Sequence, residues 1–267
     1  MAASSSTTTT TKENLLFPPP PPSVISAPQT LPNASLEPAS IQSIITSLSL
    51  TAFVEGGYMA ETDRNTLEIP SPFPLYPATT FSNTTPAADP NYEFDPNSYY
   101  RPGFDPKLRN ASTTIYYLLT GTNGGTKGGK EGPGGGGGGG GGGSPKGYLH
   151  RNRGRIIHTL HRGRGRYVIL HADETPCRVE SFVVGKNVEK GEKVQWIVEG
   201  GKYKGTFVLP VEDGEDHDDE MIFISETTVP GWEVFDHDFL DRKGLEMLME
   251  GDEEKIRQLE WLVKEEE

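Results

Sequence analysis

The chain has 267 residues, a third of them hydrophobic, with 32 glycines, 22 prolines and a formal net charge of −13. These values predict a folded part nearer one ordinary domain than two, flanked and interrupted by segments that cannot bury a core. The acidic excess argues against nonspecific nucleic-acid binding by the whole molecule, the single Cys177 excludes an internal disulfide framework, and no apolar run reaches the roughly 18 to 20 residues of a membrane helix.

Residues 1–37 are rich in Ser, Thr and Pro, with an unbroken proline run from Pro18 to Pro22, and predict a disordered tail with local polyproline II character. Ile41, Ile44, Ile45 and Leu48 then recur at helical spacing, so 40–48 predicts a short helix with one apolar face. In the following TAFVEGGYMAETDRN the paired Gly56 and Gly57 suit a loop entering a strand, with Glu55, Tyr58, Glu61 and Arg64 available for a site. Residues 69–107 hold neither period for long and predict an irregular excursion, whereas STTIYYLLT (112–120) is β-branched and aromatic and predicts a buried strand. The insertion 121–146 carries ten consecutive glycines from Gly134 to Gly143; it predicts a disordered surface loop and lacks the spacing and following helix of a phosphate-binding loop.

Residues 148–171, YLHRNRGRIIHTLHRGRGRYVILH, gather six arginines and four of the six histidines at strand-like spacing, against the charge balance of the chain. Arg151, Arg153 and Arg155 would share one face of an extended strand, and Arg162, Arg164 and Arg166 alternate again after a turn. Facing inward, such guanidinium forks would hold the phosphate or carboxylate of a small anionic ligand; facing outward, they would be solvated or pair with the acidic run 212–220. If 155–161 is one strand, His158 and His161 point to opposite faces unless a bulge intervenes. Aromatic residues do not interleave with these arginines, which argues against nucleic acid as a partner. Short strands are predicted at 178–184, 193–198, 204–209 and 221–228, separated by turn signals, and this regular spacing indicates an all-β sandwich or barrel. Two helices, near 238–250 and 252–264, close the chain, the second with Ile256, Leu259, Leu262 and Val263 on a face that packs on the parent domain.

Taken together, VEGGYMAETDRN, RNASTTIYYLLTG, GYLHRNRGRIIHTLHRGRG and VPGWEVFDHDFLDRKGLEML resemble a family of small, functionally uncharacterised cupins related in fold to the dTDP-sugar epimerases and, more distantly, to germins and seed storage proteins. The resemblance spans roughly 38–264 and implies a single cupin domain over 38–267: a double-stranded β-helix, or jelly-roll barrel, with one open mouth, usually dimeric. Metal-binding cupins carry H-x-H and a downstream Glu in one motif and a third His in another. Here the first position is His150, the second is Asn152, the Glu position falls on Ile156 or Ile157, and the last falls on Lys202 or Tyr203. No metal or other cofactor is therefore expected. Epimerases of related fold use a His base and a Tyr acid, which implies His150 paired with Tyr58 or Tyr203; Glu55, Glu61, Arg151, Arg153, His158 and His161 are the expected ligand-binding residues. The resulting expectation is a metal-independent isomerase or epimerase acting on an anionic, sugar-like ligand, the alternative being a non-catalytic cupin dimer that serves as a binding or scaffold protein. The N-terminus lacks a charged region followed by an apolar one, so a soluble cytoplasmic protein is expected, with a nuclear location left open, and the resemblance implies that it is a homodimer.

Overall fold

The computed structural model describes residues 15–27, 29, 31–75, 101–121, 143–210 and 220–265. Most of the insertion 121–146, the middle of the excursion 69–107, residues 1–14 of the tail and residues 212–219 of the acidic run 212–220 lie outside these residues.

The strands are β1 (Thr51–Ala52), β2 (Tyr58–Arg64), β3 (Glu68–Pro70), β4 (Leu108–Asn110), β5 (Thr113–Thr120), β6 (Lys146–Asn152), β7 (Arg155–Gly163), β8 (Gly165–His171), β9 (Arg178–Val184), β10 (Gln195–Val198), β11 (Tyr203–Val208), β12 (Met221–Val229) and β13 (His237–Phe239). One antiparallel sheet has the order β1-β2-β5-β12-β7-β10 and a second has β13-β6-β11-β8-β9; β3 and β4 form a separate hairpin pair. From β5 onward the chain changes sheet at nearly every connection, which is the double-layer wrapping of a jelly roll. The expected all-β jelly-roll barrel is the fold observed.

Three apolar clusters fix its layers. Between the sheets lie Tyr117, Leu119, Tyr167, Ile169, Val184, Trp196, Val198, Val208, Ile222 and Ile224. On the outside of the first sheet, Ile41 and Ile45 of helix α2 (Ala39–Ser47) cover Tyr58, Leu118 and Met221, as the apolar spacing over 40–48 predicts. On the outside of the second sheet, helices α3 (Arg242–Leu248) and α4 (Glu253–Leu259) bury Leu245, Ile256, Leu259 and Leu262 against Leu149, Tyr203 and Phe207. Each such leucine, fully removed from water, contributes about 1.5–3 kcal/mol.

Part of the expected tail belongs to this last cluster. Phe17 and Val24, the latter in the short helix α1 (Pro22–Ile25), are buried against the C-terminal helices, and the Leu16 amide donates to Gln258 Oε1 at 2.7 Å. Within the expected tail 1–37, Phe17 and Val24 dock a stretch otherwise rich in Pro and Ser, and Ala34–Leu36 form a short helical turn. The described ends of the excursion also pack, since Arg101 pairs with Glu233 at 3.0 Å and Arg153 donates to the Pro74 carbonyl.

Gly56 and Gly57 do more than turn the chain. Their φ values are +98° and +69°, and a Cβ on either would stand 2.3 Å from a backbone carbonyl oxygen, that of Lys146 or of Leu118. The loop can lie against β5 and β6 only without side chains there, and this close approach holds Glu55 at the barrel interior.

Candidate functional site in the barrel interior

Along β12 the inward face changes from Ile222 and Ile224 to Glu226 and Thr228, so the interior is apolar at one end and polar at the other. The polar end is built by single side chains from several elements. In β11, Lys204 shares the inward face with Thr206 and Val208 and lies opposite His150 of β6. The β6–β11 register slips between Lys204 and Thr206, where Lys204 pairs with His150 but Thr206 with Gly147. This bulge turns both Gly147 and His150 inward. A Cβ at Gly147 would stand 2.6 Å from Tyr117 Oη, so the glycine leaves the space that the phenol, reaching over from the first sheet, occupies.

Two polar groups meet here. In the first, Lys204 Nζ donates to Glu226 Oε2 at 2.7 Å and to His158 Nε2 at 3.3 Å, while the His158 ring stacks on Trp196 with centroids 5.0 Å apart. In the second, the fully buried Glu55 carboxylate accepts from His237 Nε2 at 2.8 Å and lies 3.2 Å from His150 Nε2. His150 Nδ1 faces the Tyr148 carbonyl at 2.8 Å; a carbonyl accepts only, so Nδ1 carries the proton and Nε2 the lone pair. Among the described residues Tyr117 Oη, His150 Nε2 and His158 Nδ1 are buried without a hydrogen-bond partner.

The electrostatics follow from burial and proximity. Desolvation pushes the His150 imidazole down to about 4, outweighing the pull of Glu55, and drives His158 well below its usual value with Lys204 adding to the effect. Burial alone would raise the Glu55 carboxyl, but His150, His237 and Lys204 together outweigh it and hold the group at about 2. Desolvation, reinforced by the Glu55 and Glu226 charges, pushes the Tyr117 phenol well up, so it stands as a protonated donor.

Residues 42–127 and 142–240 match the family described as "Cupin superfamily (DUF985)". The chain belongs to this cupin family. It is 35% identical over 205 residues to "Uncharacterized protein YML079W" of Saccharomyces cerevisiae, covering 76% of each chain. A solved structure, "Hypothetical protein from Leishmania major", superposes with a TM-score of 0.54 at 20% identity, covering 82% of this chain and 97% of the other, a likeness of fold.

In this cupin the positions aligned with the metal motifs do not rebuild a ligand set. Asn152 Oδ1 accepts from Trp232 Nε1 at 2.9 Å, Ile156 is buried, and Lys202 is held by Asp173 at 2.6 Å. A different trio assembles instead: donor atoms of Glu55, His150 and His237 all lie within 4.8 Å of one another. A second trio, His171, Asp173 and Glu174, stands largely exposed at the turn after β8.

Of the residues singled out in the sequence, Glu55, His150 and His158 come together in the interior. The other two catalytic candidates do not join them. Tyr58 lies on the outside of the first sheet under α2, its hydroxyl donating to Glu37 Oε1 at 2.9 Å, and Tyr203 lies on the outside of the second, donating to Asp238 Oδ2 at 3.0 Å. Glu61 makes an ion pair with Arg64 at 2.7 Å, and His161 sits against Tyr116 and Phe223 on the outer face. Arg151 pairs with Asp238 at 2.9 Å over the Tyr203 ring, and Arg153 with Asp236 at 3.4 Å. Among the described residues the cation presented to the interior is thus Lys204, not the arginine ribbon. His237, Lys204, Glu226 and Tyr117 were not among the candidates. His237 lies between the two aspartates of DHDF in the quoted VPGWEVFDHDFLDRKGLEML, and Glu226 is a carboxylate on the otherwise apolar phase of a predicted strand.

Proposed function

We propose that this cupin binds a small, oxygen-rich, sugar-like ligand in the polar end of its barrel and moves a proton on it. The observation that carries this reading is the Lys204–Glu226 pair at 2.7 Å inside the barrel. Well-packed apolar residues would fill the same volume with equal or greater stability, so a buried ion pair there calls for a use. Lys204 provides a charged donor for a carbonyl, carboxylate or phosphate oxygen of the ligand, and Glu226, fixed by that contact, is the proton acceptor. Tyr117, arriving from the first sheet with its phenol protonated and unpartnered, is the donor. His150, expected from sequence to be the base, has its Nε2 3.2 Å from the Glu55 carboxylate, whereas Glu226 is the carboxylate fixed by the interior cation, so the base role passes to Glu226.

Incubation of the protein in D2O with a panel of ketose and keto-sugar phosphates, followed by proton NMR, tests this. Exchange of the hydrogen next to the carbonyl is expected, with loss in Tyr117→Phe and Lys204→Gln. A wild type that exchanges nothing across the panel removes the proton-transfer reading and leaves binding alone.

The scaffold reading is favoured by a different feature, the outer face of the first sheet beyond α2. Ile197 is 44% exposed there, beside half-buried Ile157 on the neighbouring strand. A second copy of the chain is the partner proposed for this face. A monomeric mass at equilibrium in the ultracentrifuge, unchanged by Ile197→Glu, would rule that partner out. No helix among the described residues is long and apolar enough to cross a membrane.

A further inference from the structure

The geometry points to a divalent transition-metal site formed by Glu55, His150 and His237, built from residues outside the aligned metal-motif positions except His150. The first support is the donor set. Two imidazoles and one carboxylate, all within 4.8 Å and buried at the end of a barrel, form the combination that suits Mn, Fe, Co, Ni or Zn in preference to Mg or Ca. Ligand atoms about 2.0–2.2 Å from such an ion stand roughly 3 to 3.5 Å from each other. The 3.2 Å between His150 Nε2 and Glu55 Oε2 already has that spacing, and the 2.8 Å between His237 Nε2 and Glu55 Oε1 needs only a small opening.

The second support is independent of spacing. With its proton fixed on Nδ1 by the Tyr148 carbonyl, His150 leaves an unprotonated Nε2 3.2 Å from a carboxylate oxygen, and that nitrogen is buried without a hydrogen-bond partner. Two electron-rich atoms 3.2 Å apart in the interior repel unless a cation is shared by both. A backbone carbonyl on the far nitrogen is also the usual support of a metal-bound histidine. The trio is held from behind by the elements that carry it: Glu55 by the glycine pair packed on β5 and β6, and His237 by the strand register that sets it opposite Asn152. Lys204, the neighbouring cation, is offset by Glu226 and does not replace the missing charge.

The site adds an ion to the interior described above without depending on proton transfer, and the two are measured separately. Chelator-stripped protein is dialysed against Mn2+, Fe2+ under anaerobic conditions, Co2+, Ni2+ or Zn2+, desalted, and its metal content read by mass spectrometry. About one equivalent per chain is expected for at least one of these ions, falling at least about tenfold in His237→Ala and unchanged in His171→Ala, which disrupts the exposed trio instead. If His237→Ala does not fold by circular dichroism, the wild-type Co2+ spectrum decides: visible bands of a nitrogen- and oxygen-ligated ion support the site, and the spectrum of the hydrated ion overturns it. Retention of less than about a tenth of an equivalent of every ion by the wild type, or full retention by a folded His237→Ala, also overturns it.

Discussion

Replacing Lys204 with methionine should lower the free energy of unfolding by about 3 to 5 kcal/mol, because it strands Glu226 as an uncompensated charge inside the barrel. Both partners are buried, their side chains 4% and 8% exposed, and within the described residues Glu226 has only His158 left to turn to, at 3.6 Å. The decisive companion is the double substitution Lys204→Met with Glu226→Met. Two apolar chains of similar volume restore most of the lost stability, or exceed the wild type, because desolvating an ion pair costs about as much as its attraction returns. Denaturant titration of the three proteins reads this directly. A double variant as unstable as the single one would mean that Lys204 acts through packing and not through its charge. The same double variant should bind no sugar-like ligand, which separates the use of the pair from its contribution to folding.

Replacing Arg109 with methionine should cost a similar amount, about 3 to 5 kcal/mol, for a related reason at a different place. Arg109 is 1% exposed. Its Nε and Nη2 donate to the two carboxylate oxygens of Asp236 at 2.7 and 3.0 Å, its Nη1 donates to the Pro106 and Leu108 carbonyls, and Phe104 and Phe235 flank its plane. Loss of the fork leaves Asp236 to Arg153 at 3.4 Å and removes the bond between the end of the excursion and the segment that leads into β13. Because His237 follows Asp236 directly, metal retention should weaken along with stability. Arg109→Lys keeps the charge but not the planar fork, and should recover only part of either. Urea denaturation and metal content measured on the same samples check both effects. Unchanged stability in Arg109→Met would contradict the assignment of this pair as the lock on the 101–110 segment.

How far the sequence revealed the site depended on whether strand phase could be read. Along β12 it could: Ile222, Ile224, Glu226 and Thr228 alternate with their neighbours, and the strand was expected within one residue of its observed end. Along β11 it could not. All six residues from Tyr203 to Val208 are buried, because the C-terminal helices cover the outside of that strand as fully as the first sheet covers its inside. With no polar face to fix the phase, the sequence does not distinguish Lys204 from the adjacent Lys202 and Tyr203 as the residue that faces the interior. The arginine ribbon misled for the opposite reason. Its alternation is real, but Arg151 pairs with Asp238, Arg153 with Asp236, Arg155 with Glu199 and Arg164 with Glu192, partners far along the chain that only the folded register brings near. Of the acidic run 212–220, all but Glu220 lies outside the described residues. His237 is hidden between two aspartates in the sequence, whereas in the fold Asp236 and Asp238 are buried against Arg109 and Arg151 and leave the histidine between them at Glu55. The glycine pair, by contrast, was visible as a turn, but only the close approach of two backbone carbonyls reveals that it positions Glu55.

One atom decides the nature of the site, the bare Nε2 of His150, 3.2 Å from the Glu55 carboxylate. Long-range proton–nitrogen correlation of the histidine side chains in metal-free protein observes it without a ligand or a substitution. The prediction is an imidazole with its proton on Nδ1 and none on Nε2 throughout about pH 5.5 to 8, as the Tyr148 carbonyl and the low pKa require. A proton on Nε2, shared with the Glu55 carboxylate in that range, would contradict it: the pair would then be satisfied in itself, with no reason to take up an ion.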